Sequence, residues 1–237
     1  MLAIPAIDLR EAHCVQLVGG DYDNEAIRLD DPVGVARRWI AAGFSRLHVV
    51  DLDAATGRGN NRDVIRDLLR FTTVPMQIGG GLRDDVAVTT LLDEGAEWVV
   101  VGTRGVEDPA WLAEQASLAP GRIILAADVR KRLVVTNGWN VGTQREILDL
   151  IAELGDVPLG GVLVTAVHKE GTMAGPDLPL MEDLVSVSAW PVIAAGGLGS
   201  MNDLRNLDDR GVSAAVLGMA LYTEALDPRV VAEEFAE

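Results

Sequence analysis

Apolar residues in this chain fall into short runs, separated by longer stretches in which apolar and polar residues follow helical spacing. The runs are five to seven residues long, the length of a strand that is buried on both faces. They begin at Leu2, Leu47, Val74, Trp98, Ile123, Gly161, Pro191 and Ala214. Eight strands alternating with helices predict an α/β protein with a (β/α)8 TIM barrel, and an open doubly wound sheet is the alternative.

Helix boundary signals stand between several of these runs. The predicted helix starts are Asp31-Pro32, Asp108-Pro109, a capping box at Thr143 with Glu146, and a weaker capping box at Ser200 with Asp203. Gly43 is the stop signal of the first of these helices. Long connections follow Asp8 and Asp128, and we expect them to be loops that cover a substrate.

One motif occurs twice. The sequence MQIGGGLRD, which begins at Met76, returns as VIAAGGLGS at Val192. The same offset aligns Gly80 with Gly196, Gly81 with Gly197 and Gly102 with Gly218. A repeat of this length favours one closed body with an internal two-fold half-barrel repeat. We expect a single domain over residues 1–237, with halves of about 1–120 and 121–237.

Composition narrows the possible partners. The net charge of −16 argues against nucleic acid and anionic membranes. No apolar run reaches the roughly 18 residues of a membrane helix, and the first residues lack the pattern of a signal peptide. The single cysteine, Cys14, fits a reducing compartment. We expect a cytoplasmic monomer that binds neither nucleic acid nor membrane.

Glycines at the ends of predicted strands suggest sites for phosphate. Each half places a Gly-Gly pair after one strand and a single glycine after the next strand. Backbone N–H groups in such turns and at helix starts can bind anions, even in an acidic protein. The set is Gly80, Gly81, Gly102 and Thr103 in the first half, and Gly196, Gly197, Gly218 and Met219 in the second. Two matched sets predict a substrate with a phosphate at each end.

Carboxylates end two strands in corresponding places. Asp8 ends the first apolar run and Asp128 the fifth, so that both face the predicted mouth of the barrel between the two glycine sets. Different burial of two carboxyl groups can separate their pKa values enough for one to act as acid and one as base. The pattern therefore predicts proton transfer.

Several motifs in order resemble a known enzyme family. They are IPAIDLR at Ile4, VVDLDAATGRG at Val49, IGGGLRD at Ile78, VGT at Val101, AADVR at Ala126, NGW at Asn137, HKEGTMAGPD at His168, IAAGGLGS at Ile193 and LGMAL at Leu217. Together they resemble the phosphoribosylformimino-aminoimidazole carboxamide ribotide isomerases of histidine biosynthesis. The resemblance covers essentially the whole chain. It implies an Amadori rearrangement of a bis-phosphorylated aminoaldose to an aminoketose, without metal or organic cofactor.

The resemblance also implies roles for individual residues. Asp8 would be the general base at C2′ of the ribose, Asp128 the proton donor, and Thr165 a group that orients the sugar. Trp139 would stack on the aminoimidazole or, alternatively, hold its loop to the barrel. The residues expected to contact substrate or phosphate also include Gly20, Arg83 and Gly175.

Two positions depart from the family pattern. Glu170 stands where the family usually has the Asp of Lys-Asp-Gly-Thr, so its role as catalytic acid is in question. Met219 stands where relatives often have a basic residue, so the second phosphate is expected to depend more on backbone N–H groups.

Other functions remain open from the sequence. One is the sister cyclase, which is disfavoured because Ala6 stands where cyclases have Cys. Another is phosphoribosylanthranilate isomerase activity, alone or as a second activity. Dual-specificity relatives place an Arg where this chain has Asn137, but Arg130, Arg132 or Arg145 is a possible substitute. The last is a sugar-phosphate binding protein without catalysis.

Overall fold

The computed structural model describes residues 1–139 and 141–236. Its strands are β1 (Leu2–Arg10), β2 (His13–Leu17), β3 (Glu25–Leu29), β4 (Leu47–Asp51), β5 (Met76–Gly79), β6 (Trp98–Val101), β7 (Ile123–Arg130), β8 (Leu133–Thr136), β9 (Val141–Glu146), β10 (Gly161–Ala166), β11 (Val192–Ala195) and β12 (Ala214–Leu217). Its helices are α1 (Pro32–Ala42), α2 (Leu52–Thr56), α3 (Arg62–Phe71), α4 (Asp85–Asp93), α5 (Thr103–Glu107), α6 (Pro109–Leu118), α7 (Ile147–Leu154), α8 (Leu178–Val187), α9 (Met201–Asp208), α10 (Met219–Tyr222) and α11 (Pro228–Phe235).

The eight predicted strands form a closed parallel ring. The order around the ring is β1, β4, β5, β6, β7, β10, β11 and β12, and β12 pairs again with β1, with Ala3 opposite Ala215. This closure confirms the predicted (β/α)8 barrel and excludes the open sheet, which would leave two unpaired edges.

Apolar side chains fill both faces of the ring. A small cluster fills the barrel interior and includes Ile4, Val100, Ile124, Leu163 and Ile193. A larger cluster lies between the strands and the surrounding helices. Burial on both faces explains why the strands appear in the sequence as nearly continuous apolar runs.

The two segments expected to be long loops are antiparallel hairpins. β1 continues beyond Asp8 and pairs with β2, which pairs with β3; β7 continues beyond Asp128 and pairs with β8, which pairs with β9. Residues with positive φ form the tight turns after β1 and β7: Glu11, Ala12, Lys131 and Arg132. Turns of this kind usually contain Asn-Gly or Asp-Gly, which is why these hairpins give no clear signal in the sequence.

The helix signals are mostly confirmed. The side chains of Asp31 and Asp108 accept N-terminal N–H groups of α1 and α6, Gly43 ends α1, and Ser200 with Asp203 forms a complete capping box on α9. The capping box at Thr143 with Glu146 is wrong. Thr143 lies within β9, where its Oγ1 donates to the Val134 carbonyl 2.7 Å away, and α7 begins only after Glu146.

Candidate active site

A cavity of about 910 Å³ lies at the carboxyl ends of the barrel strands. This is the end of the barrel at which enzymes of this fold carry their chemistry. The predicted site residues that line it are Asp8, Gly20, Gly80, Gly81, Arg83, Gly102, Thr103, Asp128, Trp139, Thr165, Glu170, Gly196, Gly197, Gly218 and Met219. Gly175 packs behind Gly197 instead, and its N–H donates to the Gly197 carbonyl 2.9 Å away.

Three carboxyl groups meet in this cavity. Asp8 is on β1, Asp128 is on β7, and Glu170 is in the turn that follows β10. Burial raises the pKa of Asp8 to about 7, and the nearby charge of Glu170 adds to the increase. A group with this pKa exchanges its proton readily at neutral pH, as a general base requires.

Asp128 has partners that favour its charged form. Thr165 lies beside it in register on β10, and both the Thr165 hydroxyl and the Trp139 indole N–H donate to its carboxylate. Burial has the larger effect and raises the pKa of Asp128, while these two hydrogen bonds lower it. Thr165 therefore acts on Asp128 directly, a contact that the sequence alone does not predict.

Fewer hydrogen bonds favour the charged form of Glu170 than favour that of Asp128. Burial raises its pKa first and the charge of Asp128 raises it further, while the N–H of Gly171 is the bond that lowers it. Oε2 of Glu170 lies 3.2 Å from the position that a Cβ on Gly196 would occupy. The glycine thus leaves room for the longer Glu side chain inside the cavity.

The Gly-Gly pairs have backbone conformations that favour glycine. The φ angles are +106° at Gly80, +69° at Gly81, +93° at Gly196 and +81° at Gly197. A Cβ on Gly80 would lie 2.3 Å from the Asp51 carbonyl oxygen, and one on Gly197 would lie 2.5 Å from that of Gly175. The backbone of the preceding strand end or loop therefore lies close to these glycines. The sequence instead predicts that a ligand approaches the glycines there.

We call the two glycine sets cradles. The first cradle is Gly80, Gly81, Gly102 and Thr103, and the second cradle is Gly196, Gly197, Gly218 and Met219. Gly102 and Gly218 cap the short helices α5 and α10 directly after β6 and β12. The two cradles lie in corresponding halves of the ring, with the three carboxyl groups in the same cavity.

Trp139 connects the two hairpins across the cavity mouth. A Cβ on Gly20 would lie 1.8 Å from the Trp139 ring, so the ring rests directly on that glycine. Its indole N–H is bonded to Asp128 at the same time. The Trp139 ring therefore brings the β7 hairpin against the β1 hairpin, and both of its predicted roles, stacking on an imidazole and holding its loop to the barrel, remain predictions.

Sequence reasoning missed Gln16 and Tyr22, which also line the cavity. The Tyr22 hydroxyl donates to Asp53 at 2.6 Å, and its ring lies between the guanidinium groups of Arg10 and Arg58. The hydrophobic pattern could not identify either residue, because both act through the β1 hairpin that it failed to predict.

His48 is a buried residue of β4, and its Nδ1 lies 2.8 Å from Nε2 of Gln77. Burial lowers its pKa to about 4, so the imidazole is neutral. It also lines the floor of the cavity, which the sequence did not indicate.

Three arginines proposed to reach an anthranilate carboxylate do not line the cavity. Arg132 forms an ion pair with Asp183, and Arg145 forms one with Glu153. Arg130 is exposed at the end of β7. Asn137 does line the cavity, and its backbone N–H donates to Oγ1 of Thr103 3.0 Å away.

The chain is similar to known proteins over most of its length. The family model described as histidine biosynthesis protein matches residues 2–227. A protein of Gemmatimonas aurantiaca is 60% identical over 99% of both chains, and one of Myxococcus xanthus is 52% identical over the full length of both. A protein of Synechocystis is 41% identical over 94% of this chain and 89% of its own. All three are named 1-(5-phosphoribosyl)-5-((5-phosphoribosylamino)methylideneamino)imidazole-4-carboxamide isomerase.

None of the helices within residues 1–139 and 141–236 combines the length and the apolar character that spanning a bilayer requires.

Proposed function

The chain belongs to the histidine biosynthesis protein family, and we propose that its cavity carries out the isomerisation for which its curated relatives are named. The reaction is an Amadori rearrangement, in which the aminoaldose end of a bis-phosphorylated substrate becomes an aminoketose. The observation that carries this proposal is the meeting of three carboxyl groups with raised pKa values in one cavity between two glycine cradles.

Proton transfers account for the whole reaction. An acid protonates the ring oxygen, and the C1′–O bond breaks to give an open-chain iminium. A base then removes the C2′ proton, which leaves an enolamine. Protonation at C1′ and loss of the enol hydroxyl proton complete the aminoketose. No group is added or removed, so one acid and one base suffice.

We assign the base to Asp8. Its pKa of about 7 leaves a large fraction of the carboxylate ionised at neutral pH while keeping it basic enough to accept a proton from carbon. Its place on β1, within the cavity and between the halves, supports contact with the middle of a substrate held at both ends.

We assign the acid to Glu170. Asp128 accepts two side-chain hydrogen bonds that favour its carboxylate form, and its negative charge favours a proton on Glu170. Glu170 is therefore the residue that carries the proton to be transferred, and Asp128 is the residue that carries a fixed negative charge. Two carboxyl groups commonly take different roles in this way when their environments differ. The resemblance implied that Asp128 is the proton donor, and the bonds from Thr165 and Trp139 are the reason for assigning the acid to Glu170 instead.

Phosphate binding at both cradles is part of the same proposal. The cradles place backbone N–H groups near the cavity at two sites, and Arg83 lines the cavity close to the first cradle. The geometry does not favour the anthranilate substrate, because Asn137 has no positive charge and Arg130, Arg132 and Arg145 lie outside the cavity lining.

The test is steady-state turnover of the aminoaldose in metal-free buffer without glutamine or ammonia. We expect turnover by the wild type, and losses in kcat of about 10²–10⁴-fold in Asp8→Asn and in Glu170→Gln, the range for removing a general acid or base. Asp128→Asn removes the fixed charge but no group that transfers a proton, so it is expected to lose less activity than Glu170→Gln.

Undiminished turnover by Asp8→Asn would contradict the base assignment. A larger loss in Asp128→Asn than in Glu170→Gln would move the acid to Asp128. A requirement for ammonia would contradict the isomerase itself.

A further inference from the structure

The two cradles differ in the space above their single glycines. A Cβ built on Gly102 would meet no atom within 4 Å, so the first cradle is open at this point. A Cβ built on Gly218 would lie 2.6 Å from Oε1 of Gln16, so a side chain already occupies the corresponding space in the second cradle. The Gln16 side chain therefore lies against Gly218, whereas Gly102 faces free volume.

Gln16 is held firmly in this position. It lies on β2, is only 4% exposed, and donates through Nε2 to the Val15 carbonyl at 2.9 Å. The same Nε2 lies 3.4 Å from Oδ2 of Asp8, a long contact. Its Oε1 is thereby directed towards Gly218. Because this oxygen lies directly against Gly218, a phosphate oxygen cannot occupy the same space.

The counterpart of Gln16 in the other half is a smaller residue. Asp8 pairs with Val15 across the first hairpin, and Asp128 pairs with Val135 across the second, so Gln16 corresponds to Thr136. Thr136 is buried like Gln16, but its side chain is shorter by two heavy atoms. The difference in size matches the open space above Gly102.

Charge is distributed with the same asymmetry. The arginines that line the cavity, within the described part of the chain, are Arg58, Arg83 and Arg104, and all follow strands of the first half. Arg58 forms an ion pair with Asp23, and Arg104 forms one with Asp108. Arg83 instead donates to the carbonyls of Ala54 and Ala55, so its bonds leave its positive charge in place. Met219 and Leu198 line the cavity beside the second cradle. Lys169 packs its Cβ on Gly197 but is not among the residues that line the cavity.

We propose that Gln16 closes the second cradle, so that phosphate binds the open, arginine-flanked first cradle much more tightly and enters the second only when the Gln16 side chain turns away. The inference rests on the proposed function in taking both cradles as phosphate sites. When Gln16 turns away, its amide also moves away from Asp8. Binding of phosphate at the second cradle therefore changes the environment of Asp8, the proposed base.

Inorganic phosphate tests this difference without any need for turnover. Backbone amide shifts of Gly81 and Thr103 report on the first cradle, and those of Gly197 and Met219 report on the second, in one NMR titration. For the wild type we expect the second set to respond with a Kd at least tenfold weaker than the first. In Gln16→Ala the second Kd is expected to fall at least threefold, because the space above Gly218 is opened.

Two further variants separate the causes. Gln16→Met keeps a side chain of similar length over Gly218, so the second Kd should stay as weak as in the wild type. Thr136→Ala is the matched change in the other half and should leave the second Kd unaltered. Far-UV circular dichroism checks that each variant is folded, and the Met variant provides the comparison if the Ala variant is not.

Equal Kd values at both cradles of the wild type would overturn the proposal. So would an unchanged second Kd in Gln16→Ala with the protein folded. If neither set of amides responded to phosphate, the assignment of the cradles in the proposed function would fail, whereas unequal cradles with an inactive enzyme would leave the role of Gln16 intact.

Discussion

Burial of a carboxyl group in the cavity suits proton transfer but lowers the stability of the folded protein. Asp8 has a pKa of about 7 in the folded protein against an ordinary value of 3.8, because folding removes its carboxylate from water and brings it near Glu170. The folded state therefore binds the Asp8 proton more tightly than the unfolded state does. The stabilising contribution of neutral Asp8 is fully present below about pH 3.8 and is lost as the pH rises through about 7.

Asp8→Asn should therefore be more stable than the wild type in alkaline buffer. The neutral amide avoids the cost of burying a charge, which we place at about 1–3 kcal/mol after allowing for screening by water in the cavity. Urea unfolding at pH 5 and at pH 8 measures the effect, and the advantage of the variant should be larger at pH 8. Asp67→Asn, an exposed change on α3, serves as the control. An advantage that shrinks towards pH 8 would contradict the stated cause.

Sequence reasoning identified the two aspartates because both end apolar runs, and the barrel places such residues at its active end. It could not assign their roles, since these depend on neighbours distant in sequence. Thr165 reaches Asp128 from a different strand, and Trp139 reaches it from the loop between β8 and β9 of the same hairpin. Gln16 gave no signal at all, because its importance comes from Gly218, 202 residues away.

Among the secondary-structure elements, the β1 hairpin depends on a buried polar cluster. The side-chain amide of Asn61, which precedes α3, donates to the carboxylates of Asp51 and Asp53, and its Oδ1 accepts the N–H of Ala12 in the hairpin turn. Asp53 in turn holds Tyr22 near the hairpin tip. One amide thus joins the hairpin to α2 and α3.

Asn61→Ala should destabilise the fold by about 2–4 kcal/mol, because it leaves buried carboxylates and a backbone N–H without their partner. Urea denaturation measures the loss. Asn60→Ala, at the exposed neighbouring position, should change stability by less than about 0.5 kcal/mol. Similar losses in the two variants would mean that the cluster contributes little.

The barrel strands were predictable at the level of elements, whereas the hairpins were not. A strand buried on both faces forms a continuous apolar run that stands out in the sequence. β3 and β9 instead carry polar residues and are half exposed, and the turns after β1 and β7 contain Glu11 and Lys131 at positive φ in place of glycine. The pairing of β3 with β2 and of β9 with β8, and the pairing of β2 and β8 with the extended ends of β1 and β7, are tertiary information.

At the scale of the whole molecule, acidic charge acts on both the fold and its ligand. The net charge of −16 places many carboxylates around a compact barrel, and their mutual repulsion opposes folding. Arg83, which follows the Gly80-Gly81 pair and donates to backbone carbonyls, is a local exception within this acidic surface. An anionic substrate is therefore repelled at a distance and attracted close to the first cradle.

Raising NaCl from 20 to 200 mM should stabilise the protein, because the Debye length falls below about 10 Å and repulsion between surface charges is screened. An increase in stability on the order of 1 kcal/mol corresponds to about 2–4 °C in Tm for a chain of this size. Thermal unfolding in NaCl measures it. Sulfate is unsuitable, since it also strengthens apolar burial. A lower Tm at 200 mM would mean that surface ion pairs outweigh the repulsion.

The close contacts of the glycine pairs constrain how this barrel can diverge. Gly80 fits against the backbone of Asp51 at the end of β4, Gly81 fits against that of Ala54 just after β4, and Gly197 fits against that of Gly175 in the loop after β10. In both halves, a change in one of the two neighbouring loops therefore requires a matching change in the other. Loop grafting between relatives should succeed when the β4 and β5 loops, or the β10 and β11 loops, are exchanged together, and fail when one is transplanted alone.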